Sequence, residues 1–129
     1  MIRPYTEVDF KSIHKMHLES ALNYDLPDLS DPRFVVRQVV ADEDGVHMGA
    51  FIRQTHEAYL FCQRDWMTPK YRYEMIKTVQ ESVRAEAKQK GVKEVFIWCP
   101  SSIEKSFGSR LVELGWERMP WPTFAQEVK

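Results

Sequence analysis

Two kinds of apolar spacing divide the chain into helical and extended segments. An apolar spacing of three and four over residues 10–21 predicts a helix with Asp9 as its N-cap. A spacing of four over residues 75–87, in a segment rich in Glu, Lys and Ala, predicts an amphipathic helix that ends at Gly91. A third helix is predicted from about residue 101 to residue 114, because Ser101 and Glu104 have the spacing of a capping box.

The remaining apolar segments are rich in Val, Ile and aromatic residues and predict strands. They are residues 2–4, 34–41, 46–53, 58–67, 92–99, 116–119 and 123–128. Asp44-Gly45 is the strongest hairpin signal, and the two prolines of residues 26–32 favour a loop. The later helices make crossovers that favour parallel pairing. We therefore expect one domain over residues 1–129, of the α/β (α+β) class. It should hold a mixed, mostly antiparallel sheet of about six to seven strands, with helices on both faces.

Composition excludes several classes of function. The chain has 129 residues and a formal net charge of -1, which gives no basic surplus for phosphate contacts, so no nucleic-acid partner is expected. No apolar run approaches the roughly 20 residues of a membrane span, and the N-terminus lacks a secretory signal. Cys62 and Cys99 stand alone in apolar segments, and we expect two reduced, largely buried thiols in a cytoplasmic protein.

Several short phrases, in order along the chain, resemble the GNAT superfamily of N-acetyltransferases. They are residues 2–4 with Asp9-Phe10, the hairpin phrase 44–51, residues 66–72, residues 91–95 and Leu114-Gly115-Trp116. The resemblance covers nearly the whole chain. It implies an N-acetyltransferase with acetyl-coenzyme A (acetyl-CoA) as cofactor and a primary amine, on a small molecule or a protein, as acceptor. The resemblance is also compatible with a homodimer.

The resemblance also implies which residues bind the cofactor. They are Trp66, Met67, Arg72, Tyr73, Glu74, Met75, Ile76 and Lys77. In the family, backbone amides of a glycine-containing loop hold the pyrophosphate at a helix N-terminus. Here Met75 and Lys77 stand where glycine is expected, and Leu111 stands where many members carry a tyrosine acid. A cation at Arg72 opposes the dipole of a helix start, so a bound anion would account for it; the alternative is a salt bridge, for example to Glu74.

Family practice draws a general base from the fourth strand, where the candidates are Asp65 and Glu57, with Asp65 preferred. Ordinary solvated charges are the alternative for both. The acidic loop that contains Asp25 and Asp28 suits a cationic amine, and Trp121 between two prolines suits a pocket wall or a partner; a solvated loop and core packing are the alternatives.

No metal site is expected, because no third ligand accompanies the histidine pair at positions 14 and 17. Three functions follow. The first is acetyl transfer from acetyl-CoA to an amine. The second is an inactive GNAT-like binding or assembly protein, similar to accessory or virion-associated proteins of short-tailed bacteriophages. The third is an acyl-CoA sensor without turnover.

Overall fold

A computed structural model describes residues 1–128 of the chain. The chain forms two compact units, Met1–Thr55 and a second that begins at His56. The expectation of a single domain stays a prediction.

The first unit is a small antiparallel sheet with one helix. Strand β1 (Ile2–Pro4) is followed by a 3-10 turn (Glu7–Asp9) and helix α1 (Phe10–Glu19), and then by strands β2 (Phe34–Asp42) and β3 (Gly45–Arg53). The strand order is β1-β2-β3, with both pairs antiparallel. The predicted strands, helix and loop of this half of the chain are therefore confirmed.

The β2–β3 hairpin has two glycines whose lack of a side chain matters. Gly45 opens β3 with φ +126°, a conformation that residues with a β-carbon rarely adopt. Gly49 pairs with Val39, and a β-carbon there would lie 2.6 Å from Cδ1 of Ile13 on α1. Gly49 therefore allows α1 to approach the sheet closely.

The core of the first unit is closed and apolar. Its buried hydrophobic residues are Tyr5, Ile13, Leu29, Phe34 and Val39. The ring of Phe51 meets those of Tyr5 and Phe34 edge-on, with centroids 5.4 and 6.2 Å apart. Edge-to-face contacts between aromatic rings add stability beyond that from the apolar area that the rings bury.

Asp9 is the N-cap residue of α1, as predicted, but its side chain makes no capping hydrogen bond to the helix. Asp9 is 4% exposed, and its carboxylate turns back to accept from the Thr6 amide at 2.9 Å. Both terminal nitrogens of Arg3 donate to it at 2.8 Å. These charged and backbone donors hold the pKa of Asp9 well below its usual range. Asp9 therefore joins β1 to the start of α1.

The second unit is built around one long helix. Helix α2 (Pro69–Gln89) begins with Thr68 as its N-cap, whose hydroxyl accepts from the Tyr71 amide at 3.1 Å. Gly91, with φ +77°, follows its end. A π-helical turn (Glu104–Gly108) then continues into the short helix α3 (Ser109–Glu113). The long helix is confirmed, and the predicted helix over 101–114 forms over residues 104–113, with its first part as a π-helical turn.

The predicted sheet of six to seven strands with helices on both faces is wrong. Residues 1–128 form a three-stranded antiparallel sheet and three helices. Segments 58–67, 92–99, 116–119 and 123–128 form no ladder in that range, and a lone bridge joins Glu57 to Phe96. An apolar segment becomes a strand only where a neighbour takes up its backbone N–H and C=O groups, so composition alone overestimated these strands.

The two cysteines differ in exposure. Cys62 and Cys99 are both free thiols, but Cys62 is exposed and Cys99 half-buried, so the expectation of buried thiols is wrong for Cys62.

Among residues 1–128, no helix combines the length and the apolarity that a membrane crossing requires.

Candidate functional site

Two extended segments of the second unit run parallel at a single point. The Ala58 amide donates to the Phe96 carbonyl at 2.7 Å, and the Phe96 amide donates to the His56 carbonyl at 2.8 Å. The chain between them contains α2, so this connection is a crossover between parallel segments. The element order predicts parallel pairing in this part of the chain. Among the described residues, that pairing consists of this one bridge.

Glu57 lies at this bridge within a group of aromatic side chains. The Tyr59 hydroxyl donates to Oε2 of Glu57 at 2.6 Å. Tyr59 and, to a smaller extent, the Trp98 side chain lower the pKa of Glu57, while the adjacent carboxylate raises the pKa of Tyr59. Tyr59 stacks on Phe61, and Phe96 stacks on Trp98. The result is an exposed carboxylate with a lowered pKa, flanked by aromatic rings.

An apolar cavity of about 560 Å³ lies directly beside this group. Ala58, Tyr59 and Leu60 form one part of its wall, next to Glu57 in the chain. The other apolar residues that line it are Ile76, Val79, Val83, Ala87, Val92, Val95, Ile97, Phe107, Leu111, Leu114 and Trp116. The cavity has the size of a small-molecule site, which is commonly about 300–1,000 Å³.

Side-chain hydrogen bonds hold one wall of the cavity to α2. The Gln80 amide nitrogen donates to the Leu114 carbonyl at 3.0 Å, and the Trp116 indole donates to Oε1 of Gln80 at 2.9 Å. Nearer the start of α2, the Tyr73 hydroxyl donates to Glu113 at 3.2 Å. These bonds fix the end of α3 against α2 and keep the wall in place.

Charged residues at the cavity are mainly basic. Arg84, Lys88 and Lys93 take part in its lining, together with Glu94 and Glu117. Arg84 and Lys88 are exposed and lie one helical turn apart on α2. An anionic group at this rim would therefore meet more positive than negative charge.

The structure places the expected cofactor residues in two settings. Trp66 and Met67 lie in the turn before α2, where Met67 has φ +55°. Nη1 of Arg72 donates to the carbonyls of both residues, at 2.8 and 2.9 Å, so its described contacts are with this turn and not with Glu74. The Arg72 amide donates to the Thr68 carbonyl.

Residues 73–77 lie inside α2 and not in a loop, so their amides take part in helical hydrogen bonds. Lys77 pairs with Glu74 at 3.3 Å and lies 5.1 Å from the centre of the Tyr73 ring. Arg110 lies 5.0 Å from the centre of the same ring. Met75 is partly exposed, and Ile76 lines the cavity. The amides of residues 73–77 therefore do not form the cradle of free amides that the resemblance implies.

The expected catalytic and substrate residues lie on different elements. Asp65 is exposed in a turn before α2, whereas Glu57 lies at the parallel bridge. Trp121 is 46% exposed. Asp25 and Asp28, in the first unit, line a hollow of about 460 Å³.

That hollow is also lined by the two histidines of α1. His14 stacks on Phe10, and His17 packs edge-on against Tyr24. Asp28 accepts from the amide and hydroxyl of Ser30, which lower its pKa and occupy its carboxylate in a local turn. Among residues 1–128, no group of three or more His, Cys, Asp or Glu side chains is arranged to hold a metal ion.

No protein-family model, curated protein or solved structure matches the chain. The geometry around Glu57 and the cavity is therefore the basis of the functional proposal.

Sequence reasoning named Glu57 but missed its partners. Tyr59 lies two residues along an extended segment and so projects to the same side, a signal that was present in the sequence. Trp98 reaches Glu57 through the pairing of two segments that are distant in the chain. No local sequence pattern predicts the pairing of these two segments. The positions of Gln80 and Arg84 at the cavity are likewise not predicted by any local pattern.

Proposed function

We propose that the protein binds an acyl-CoA and transfers the acyl group to a primary amine, with both substrates bound by the second unit. The observation that carries the proposal is the position of Glu57, a carboxylate that accepts from the Tyr59 hydroxyl beside an apolar cavity. A charged subsite for an ammonium group thus adjoins a space for the acyl-pantetheine part of the cofactor. The GNAT-like phrases of the sequence support the same chemistry.

Glu57 is suited to bind the amine and not to deprotonate it. Because Tyr59 and Trp98 lower its pKa, the carboxylate stays ionised at neutral pH and is a weaker proton acceptor than an ordinary glutamate. It attracts an ammonium group, and the exposed rings of Tyr59 and Trp98 add cation–π attraction. Asp65, the expected base, stays a prediction.

The transfer step needs only the two substrates. The amine loses a proton to solvent, and its nitrogen lone pair attacks the thioester carbonyl carbon. The C–S bond then breaks, and the thiolate of coenzyme A leaves and takes up one proton, while the nitrogen loses its second. The protein contributes mainly by holding the amine and the thioester within reach of each other.

A thiol-release assay with acetyl-CoA, octanoyl-CoA and a pool of primary amines tests the proposal. The variant Glu57→Gln should raise the KM for the amine about tenfold with little change in kcat, because a charge-assisted contact is lost. Glu81→Gln, at an exposed glutamate on α2, is the matched control and should behave as the wild type.

The alternatives have distinct results. Binding of acyl-CoA in calorimetry without thiol release would indicate an acyl-CoA sensor. Neither binding nor release at millimolar cofactor would overturn the proposal and favour a binding or assembly protein.

A further inference from the structure

We infer that the cavity of the second unit binds a medium-length acyl chain, with the anionic end of the ligand at the basic rim formed by Arg84, Lys88 and Lys93. A free fatty acid and an acyl-CoA share this chemistry. The inference therefore goes beyond acyl transfer and does not depend on it.

The length of the cavity exceeds what an acetyl group would fill. The apolar part of its lining on α2 runs from Ile76 to Ala87, which corresponds to about 16 Å along a helix axis. An eight-carbon chain has seven C–C bonds of about 1.5 Å and cannot exceed about 11 Å. A chain of this length therefore fits along the helix, whereas a two-carbon group would leave most of the lining uncovered.

The lining has apolar area that a ligand would cover. Val79 and Val83 lie on the cavity face of α2 and are 45% and 59% exposed. The hollow of about 560 Å³ is open, so the apolar side chains along it stay in contact with solvent. Removing these side chains from water would contribute directly to the affinity for an apolar chain.

The charges at the rim select the polar end of the ligand. The ion pairs described on α2, Glu74–Lys77 and Glu86–Lys90, use other lysines of the helix. Arg84, Lys88 and Lys93 outnumber the rim carboxylates of Glu94 and Glu117. A carboxylate or phosphate can accept charge-assisted hydrogen bonds from such side chains.

Binding of octanoate, octanoyl-CoA, butyrate and coenzyme A, each measured by calorimetry on the whole chain, tests the inference. Octanoate should bind about tenfold or more tightly than butyrate, because each further buried methylene adds affinity. The variant Val83→Phe, which fills the cavity, should abolish this preference. Val112→Phe makes the same change at a half-exposed valine of α3 outside the lining and should preserve it.

Equal binding of octanoate and butyrate, or an unchanged preference in Val83→Phe, would overturn the inference. Tighter binding of octanoyl-CoA than of octanoate would support it with a thioester as the source, and the reverse order would support it with a fatty acid. Binding of octanoate together with exclusion of both CoA compounds would refute the proposed acyl transfer but not this inference.

A second pair of variants tests the rim. Lys88→Met should weaken octanoate binding about three- to tenfold and leave the binding of uncharged 1-octanol unchanged, because only the charged contact is removed. Lys70→Met, on the same helix but outside the lining, should change neither ligand. Equal effects on octanoate and octanol would contradict the assignment of the anionic end to the rim.

Discussion

The two units of the chain use apolar residues in opposite ways. The first unit buries Tyr5, Ile13, Leu29, Phe34 and Val39 in one closed cluster. In the second unit, Leu111 is the buried hydrophobic residue among those described, while a longer set of apolar side chains lines an open cavity. Burial of apolar area stabilises a fold, whereas apolar area that stays accessible is available to a ligand. We therefore expect the first unit to be the more stable of the two, and the second unit offers more accessible apolar area to a ligand.

The largest expected effect comes from a Phe→Ala substitution in the first unit, compared with the same substitution in the second unit. Phe34→Ala should lower the free energy of unfolding by about 3–5 kcal/mol, because it removes a buried ring and leaves a cavity. Phe61→Ala removes a ring that is 87% exposed and should change it by less than about 0.5 kcal/mol.

Urea titration followed by two probes measures this difference. Hydrogen exchange of the β2 and β3 amides reports on the first unit. The four tryptophans, at positions 66, 98, 116 and 121, all lie in the second unit, so their fluorescence reports on it. Similar losses from both substitutions would contradict the contrast between a closed core and an open one.

The Arg3–Asp9 pair makes the stability of the first unit sensitive to acid. The pKa of Asp9 is lower in the folded state than its unfolded value of about 3.9. Its contribution is therefore complete above about pH 5 and is lost as the pH falls towards the folded pKa. Asp9→Asn should destabilise the first unit at neutral pH and flatten the dependence of its stability on pH between about pH 2 and 5.

Asp44→Asn, at an exposed aspartate of the hairpin loop, is the control and should leave the acid dependence intact. A pH profile of Asp9→Asn that matches the wild type would show that the pair adds nothing to folding. Acid unfolding monitored by circular dichroism and hydrogen exchange gives both profiles.

The accuracy of sequence reasoning follows the same division between the units. The β2–β3 hairpin and helix α1 depend on neighbours in the chain, such as the turn before Gly45, and both were predicted. Helix α2 was predicted from its spacing for the same reason. Segments 58–67 and 92–99 needed partners far away in the chain to become strands, and their composition could not supply that information.

The candidate site shows the same limit at the level of single residues. Glu57 was identified as a carboxylate of interest, but its pKa is lowered first by Tyr59 and then by Trp98, which is remote in sequence. Residues 73–77 were aligned with the phosphate-binding phrase of a family, although the apolar spacing predicted a helix already from residue 75. Thr68 and Pro69 are a strong local start signal, and they place those residues inside α2 instead.

In the second unit, the largest polar effect should come from Gln80. Gln80→Leu removes a donor to the Leu114 carbonyl and an acceptor for the Trp116 indole, so two part-buried groups lose their partner. We expect a loss of about 1–3 kcal/mol in the unfolding free energy of the second unit. Gln89→Leu, at the exposed end of the same helix, should be nearly neutral.

Tryptophan fluorescence in urea measures both variants, and Trp116 should also respond in its emission maximum. A loss for Gln80→Leu no larger than for Gln89→Leu would show that the contact between α2 and the end of α3 does not stabilise the unit. It would also remove the reason to expect a rigid cavity wall.

The smallest effects should come from glycines in left-handed conformations, and they allow the two units to be compared without any packing difference. Gly45 and Gly91 both have positive φ, at +126° and +77°, and a β-carbon at either would meet no atom within 4 Å. Replacement by alanine therefore changes only the backbone energy, and should cost about 1 kcal/mol at Gly91 and somewhat more at Gly45.

Asparagine separates backbone strain from other causes, because it tolerates the left-handed region near the φ of Gly91 better than alanine does. Gly91→Asn should therefore recover part of the stability lost in Gly91→Ala, while Gly45→Asn, farther from that region, should recover less. Each loss should appear only in the probe of its own unit. Equal losses in both probes would mean that the units unfold together, and the contrast between them would then describe packing but not independent stability.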